Sequence, residues 1–188
     1  MSRSKALRAN PRKVLAALAT VLVAVGVTVA SGATFTASTA NPSNTFTAGS
    51  LTMSNDKDGT AILTASGMKP GDATTDATGT VVIKNTGSLK GAFTLTRSSL
   101  TSTDSTNPLA AKLNTTITDC GADQNCATTA DNSNRYTGLL SAMSAPISLG
   151  DWAGSEQHTY KFVVSLDSSA GNVYQSGAST AGFTWDAA

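Results

Sequence analysis

Few side chains in this sequence could do chemistry. The chain of 188 residues has a single histidine, His158 in SEQHTYKF, and two cysteines, Cys120 and Cys126 in DCGADQNC. A paired-histidine zinc peptidase needs H-E-x-x-H, two imidazoles one helical turn apart with a general base between them, and one histidine cannot supply it. The zinc set left to the chain is His158 with Glu156 and an Asp from elsewhere, the three protein ligands a catalytic zinc requires. The plainer reading is a surface histidine where a strand begins. Nucleophile signatures are equally thin: G-x-S-x-G is absent, and SNDK, from Ser54 to Lys57, has S-x-x-K spacing without its S-D-N or K-T-G companions. Asp56 and Asp58 in NDKDG resemble the opening of a calcium loop, but no Glu closes it at the proper distance. That leaves an acidic turn with at most weak calcium affinity. The sequence therefore assigns no catalytic residue, no metal site and no cofactor.

The cysteines are spaced too widely for a Cys-x-x-Cys redox or metal pair, and no second pair accompanies them. They read as a structural disulfide pinning a hairpin tip, a bond that persists in an oxidising exterior. The first residues point to the same compartment. A basic SRSKALRANPRK, an apolar run from Val14 to Ala30 and the small residues SGA make an export signal, cleaved between Ala33 and Thr34. A retained anchor is the competing reading, since the apolar run sits at the lower edge of a membrane span. Without residues 1–33 the chain keeps eight basic against twelve acidic side chains, a net charge of −4. A mildly acidic chain with no basic cluster does not fit a phosphate backbone, so nucleic acid is not the expected partner, and after processing neither is a membrane.

The elements that must carry these residues alternate like strands. TYKFVVSLD places Tyr160, Phe162, Val164 and Leu166 on one face, and GAFTLTR does the same with Phe93 and Leu95. TFTAGSLTM, GTAILTA, GTVVIKN, KLNTTITD and AGFTWDA have the same period, separated by turn signals such as KPGD, NTGS and SSAGN. Seven or more short strands within residues 46–188 imply an all-β domain, a jelly-roll-like antiparallel β-sandwich. One or two short helices complete it: NPLAAKL, with Asn107 as N-cap and Pro108 in the first turn, and YTGLLSAMSAP, stopped by Pro146. The rest of residues 98–146 is polar and reads as a long excursion, exposed at one end of the sandwich and carrying the disulfide hairpin.

Several segments together resemble the secreted TasA and camelysin family of Gram-positive bacteria. TFTAGSLTMS follows the leader, MKPGD precedes a strand ending in NTGSL, and GNVYQSG leads to FTWDA, in the family's order. The resemblance implies a jelly-roll domain released by a dedicated signal peptidase and placed at the cell surface or in the biofilm matrix, where TasA-like proteins polymerise into fibres, with an accessory matrix protein as a further partner. It also implies a second reading, because camelysin-like members carry a metalloendopeptidase label. A monomeric surface adhesin is the third. The residues of the shared motifs have fold-keeping explanations: Pro70 and Gly71 fix a turn into a strand, Asn85 and Gly87 make a reversal, Tyr174 and Gln175 close one end through hydrogen bonds to the backbone, and Trp185 is core.

Residues 34–45 then form a short uncharged arm ahead of the core. Thr34, Phe35, Thr36, Ala37, Ser38 and Thr39 alternate as an extra strand would, and such an arm can add to an exposed sheet edge on a second copy, with Phe35 finding a pocket. A head-to-tail contact of that kind does not close and so makes filaments. The competing reading is a frayed terminus.

Overall fold

The computed structural model describes residues 47–127 and 132–188. Eight strands follow one another: β1 (Met53–Asn55), β2 (Ala77–Asn85), β3 (Gly91–Ser102), β4 (Leu113–Asp119), β5 (Ser133–Leu139), β6 (Ile147–Trp152), β7 (Gln157–Leu166) and β8 (Ser179–Ala187). They form two antiparallel sheets, ordered β1-β2-β7-β4-β5 and β6-β3-β8. The all-β sandwich expected from the alternation is present.

The strand period explains the core. On β7 the side chains of Tyr160, Phe162, Val164 and Leu166 are buried in alternation, and β4 buries Leu113, Thr115, Ile117 and Asp119 in the same way. Register brings Val81 opposite Tyr160 and Ile117 opposite Phe162. From the facing sheet come Phe93 and Leu95 of β3, Leu149 and Trp152 of β6, and Trp185 of β8. Each such side chain contributes about 1.5–3 kcal/mol by leaving water. A second cluster, with Ala77, Leu113, Leu140, Val164, Leu166 and Ala170, continues the core toward the other end of β7.

Several elements differ from the sequence reading. The helices are single 3-10 turns. Leu109–Lys112 starts after an extended Pro108, with no Asn107 cap, and Leu140–Ala142 is all that remains of YTGLLSAMSAP. Residues Tyr136 to Leu139 are taken into β5 by pairing with β4, and ladder bonds outweigh a weak helix preference. The 98–146 stretch is likewise no exposed excursion, because it supplies β4, which lies between β7 and β5 with its inward residues buried. Strand β6 escapes the periodic reading because a register shift between Phe93 and Thr94 breaks the alternation, and Leu149 and Trp152 are buried three residues apart. Conversely, TFTAGSLTM yields only the start of the three-residue β1 among the described residues, and GTAILTA has no strand partner.

Candidate functional site

The histidine sits in the one buried charged cluster of the described residues. Asp119 ends β4 at an inward position, and the ladder sets it opposite Tyr160, so its carboxylate meets His158 and Tyr160 on the inner face of β7. Its oxygens accept from His158 Nδ1 at 2.9 Å, the Gly121 N–H at 2.9 Å, the Arg135 guanidinium at 2.9 and 3.3 Å, and the Tyr160 hydroxyl at 3.2 Å. On the other side of the ring, His158 Nε2 donates to Glu156 Oε1 at 3.1 Å, and Glu156 Oε2 accepts the Ala153 N–H. The imidazole also stacks on Trp152, whose indole stacks in turn on Phe93.

Charge follows from this geometry. Both ring nitrogens face a carboxylate, which only the imidazolium satisfies. The hydrogen bond to Asp119 raises the His158 pKa above its ordinary 6.5, against the opposing effect of burial and with help from Glu156. Burial pushes the Asp119 carboxyl up, but the bonds from His158, Gly121 and Arg135 prevail and hold it below its ordinary value. Burial, reinforced by the Asp119 charge, drives the Tyr160 phenol far upward, so it stays a donor.

The cluster contains the three residue types that zinc would use, His158, Glu156 and an Asp, yet it does not make a metal site. The two nitrogens point to different carboxylates, one on each side of the ring, so the donors do not converge on a point. Among the described residues no group of three His, Cys, Asp or Glu side chains is arranged to hold a metal ion.

Beside the cluster, Cys120 and Cys126 form a disulfide, with Cα atoms 5.2 Å apart, in the connection from β4 toward β5. The base of that connection is tied to β7 by Cys120 N–H to Thr159 O and Thr159 N–H to Gly121 O, both 2.8 Å. Asn85 is fully buried, and its side-chain amide donates to the carbonyls of Leu89 and Ala153 while accepting the Gly87 N–H. It brackets the β2–β3 turn to the β6–β7 turn. Gly87 is pressed against the chain that leads into β1, since a β-carbon there would lie 2.2 Å from the Ser50 carbonyl.

The second feature is a groove of about 1020 Å³ on the β2–β8 side of the sandwich, lined by residues 57–68, by β8 and, from β2, by Ala77. Its apolar wall comes from Ala77, Phe162, Val164, Leu166, Phe183 and Trp185. Strand β1 pairs only with Ile83 to Asn85, and Asp56 caps Val82, its backbone donating at 3.2 Å and its carboxylate accepting the Val82 N–H at 2.7 Å. Residues 77–81 of β2 therefore have one edge with no ladder partner among the described residues. Between β5 and β6 the chain crosses from one sheet to the other through buried Leu140 and Met143.

The remaining sequence candidates fall as follows. Pro70 and Gly71 form a turn docked on the end of β7, where the Gly71 N–H donates to Leu166 O at 2.9 Å with φ of +70°. Tyr174 and Gln175 line the groove, and the Tyr174 ring packs on the second core cluster with Lys112 Nζ 5.8 Å from its centroid. Trp185 is buried against Tyr160. Asp58 is exposed in the turn after β1. The cleavage point at Ala33 and Thr34, and the arm from Thr34 through Phe35, Thr36, Ala37 and Ser38 to Thr39 and beyond, lie outside the described residues. Sequence reasoning did not single out Asp119, Arg135 or Gly79. A carboxylate and a glycine at inward positions of KLNTTITD and GTVVIKN were the available signals.

Residues 11–119 match the protein family described as camelysin metallo-endopeptidase. No curated protein matches the chain.

Proposed function

Because the chain belongs to the camelysin metallo-endopeptidase family, the same group as TasA, we propose that it is a secreted structural subunit that assembles head-to-tail into cell-surface or matrix fibres. The arm 34–45 of one copy adds as a strand in the β2–β8 groove of the next. The observation that carries this reading is the groove itself, an apolar cleft beside a strand edge at residues 77–81 that has no ladder partner among the described residues. An extended arm of that length spans about 40 Å, enough to run along the nine-residue strands β2 and β8. Burial of alternate side chains such as Phe35 supplies affinity, and backbone bonds set direction.

The family's description implies a catalytic metal, and this chain's donor set does not fit one. It has one histidine, both of whose nitrogens are bound to separate carboxylates. We therefore derive no metal-dependent step. Peptidase activity lost both with chelator and in His158→Ala would restore that second reading.

Electron microscopy of purified chains beginning at Thr34, at Thr45, and a few residues before Thr34 tests the proposal. Filaments from the Thr34 chain alone are expected. Filaments from the Thr45 chain, or from none of the three across pH and salt, overturn strand donation by this arm.

A further inference from the structure

The segment between β1 and β2 is strand-like in sequence and has no ladder partner among the described residues. Residues 61–68 make no backbone hydrogen bond to any described residue, although GTAILTA lies against the inward face of β2 at Gly79. What holds this stretch is apolar: Ile62, Leu63 and Met68 are half-buried and pack on the two core clusters at the mouth of the groove. Contact is closest at Gly79. A β-carbon on that glycine would lie 2.1 Å from the Ile62 carbonyl oxygen and 2.9 Å from the Leu63 β-carbon. Gly79 thus leaves a notch in the inward row of β2, and the segment fills it.

Both ends of the segment are fastened. Before it, Asp56 is bonded to Val82, and the Thr60 N–H and hydroxyl both donate to Lys57 O. After it, the Lys69 N–H donates to Thr75 Oγ1 at 2.9 Å, and Gly71 is tied to Leu166. Gly59 and Gly67, near the two ends, have φ of +68° and +66°, a conformation that lets the backbone reverse where other residues resist.

We propose that residues 58–70 are a strap that covers the β2–β8 groove in the free subunit and swings aside when the arm of a second copy enters. The inference rests on the fibre reading and adds its regulation. Strap and arm compete for the notch over Gly79 and the wall beside it, so the groove is shielded from unspecific edge pairing until a matching strand displaces the strap. The two are unequal in kind. Among the described residues the strap is held by apolar contacts, whereas an incoming strand offers the same contacts and ladder bonds to residues 77–81. Apparent affinity for the arm is lowered by the fraction of subunits in which the strap is closed.

The test compares assembly of the mature chain beginning at Thr34 with its Ile62→Ser/Leu63→Ser variant. It is paired with hydrogen exchange of wild-type monomer and fibre. The variant should assemble about tenfold faster, because the strap is held by these side chains. In wild-type fibres the amides of 61–68 should exchange faster, and chymotrypsin should cut faster at Leu63, while residues 77–81 become protected. That exchange measurement stands even if the variant fails to fold. Fibres in which 61–68 become more protected, or a folded variant that assembles no faster, overturn the strap and leave the fibre reading intact. Absence of fibres from every chain removes the fibre reading and the strap with it.

Discussion

The imidazole of His158 lies nearly parallel to the indole of Trp152, with ring centroids 4.5 Å apart and planes 15° from each other. The same imidazole bridges Asp119 and Glu156. Charge on this ring is therefore felt at once by β4, by the β6–β7 turn and by the aromatic stack, and Arg135, Tyr160 and Lys90 complete its electrostatic surroundings.

Stability should peak in mildly acidic solution. The His158 pKa is raised above 6.5, so its contribution is complete below that value and is lost as pH climbs through the folded pKa. Asp119 and Glu156 are held below their ordinary 3.8 and 4.5, so theirs is complete above those values and is lost as pH falls toward the lower folded ones. Urea denaturation from pH 3 to 9 should place the maximum at about 4.5–6.5. The lone histidine also gives one NMR titration curve, and Trp152 emission should follow it. A midpoint below 6.5 would contradict the bridge.

Asp119→Asn removes the negative charge that His158 and Arg135 share while keeping the side-chain volume. Stranding a partly buried guanidinium and an imidazolium should cost about 3 kcal/mol, read as a drop in urea midpoint. The His158 titration should move down in the same variant. Unchanged stability would show that the cluster is solvated rather than locked.

Asn85→Ala should destabilise by about 1–3 kcal/mol, because the carbonyls of Leu89 and Ala153 and the Gly87 N–H lose the one fully buried side chain that joins them. Asn85→Asp should fare no better, since a carboxylate cannot donate to either carbonyl. Thermal denaturation of both variants checks this; a loss confined to Asn85→Ala would assign the effect to side-chain volume.

Cys120→Ser should leave the sandwich folded. The bond closes a short loop, so it constrains the unfolded chain modestly and its removal should cost about 2 kcal/mol or less. Proteolysis should accelerate within residues 113–135 and hardly at all elsewhere. Global unfolding on reduction would make the disulfide a determinant of the fold.

Gly79→Val would place its side chain on the Ile62 carbonyl. Chymotryptic cleavage at Leu63 should accelerate while β7 and β4 amides stay protected. Cleavage at the wild-type rate would mean that β2 itself shifts to make room.

The sequence by itself determined the sheet architecture, because period-two alternation in TYKFVVSLD and GAFTLTR says which side chains face inward whatever the strands pair with. It determined the disulfide too, since Cys120 and Cys126 have no other cysteine to choose. It named His158 and Glu156 but not their partner: Asp119 lies far along the chain and reaches them only through the β4–β7 register. The places where local pattern misled are places where pairing decides. GTAILTA has a strand's alternation and no ladder partner among the described residues, while the broken pattern of ISLGDW is a strand because β6 itself bulges at Leu149 where it pairs with β3. Alternation fixes a residue's face, a local property of the backbone. Which edge stays open, and hence where the groove between β2 and β8 lies, is a property of the whole assembly of strands, and only the tertiary structure decided it.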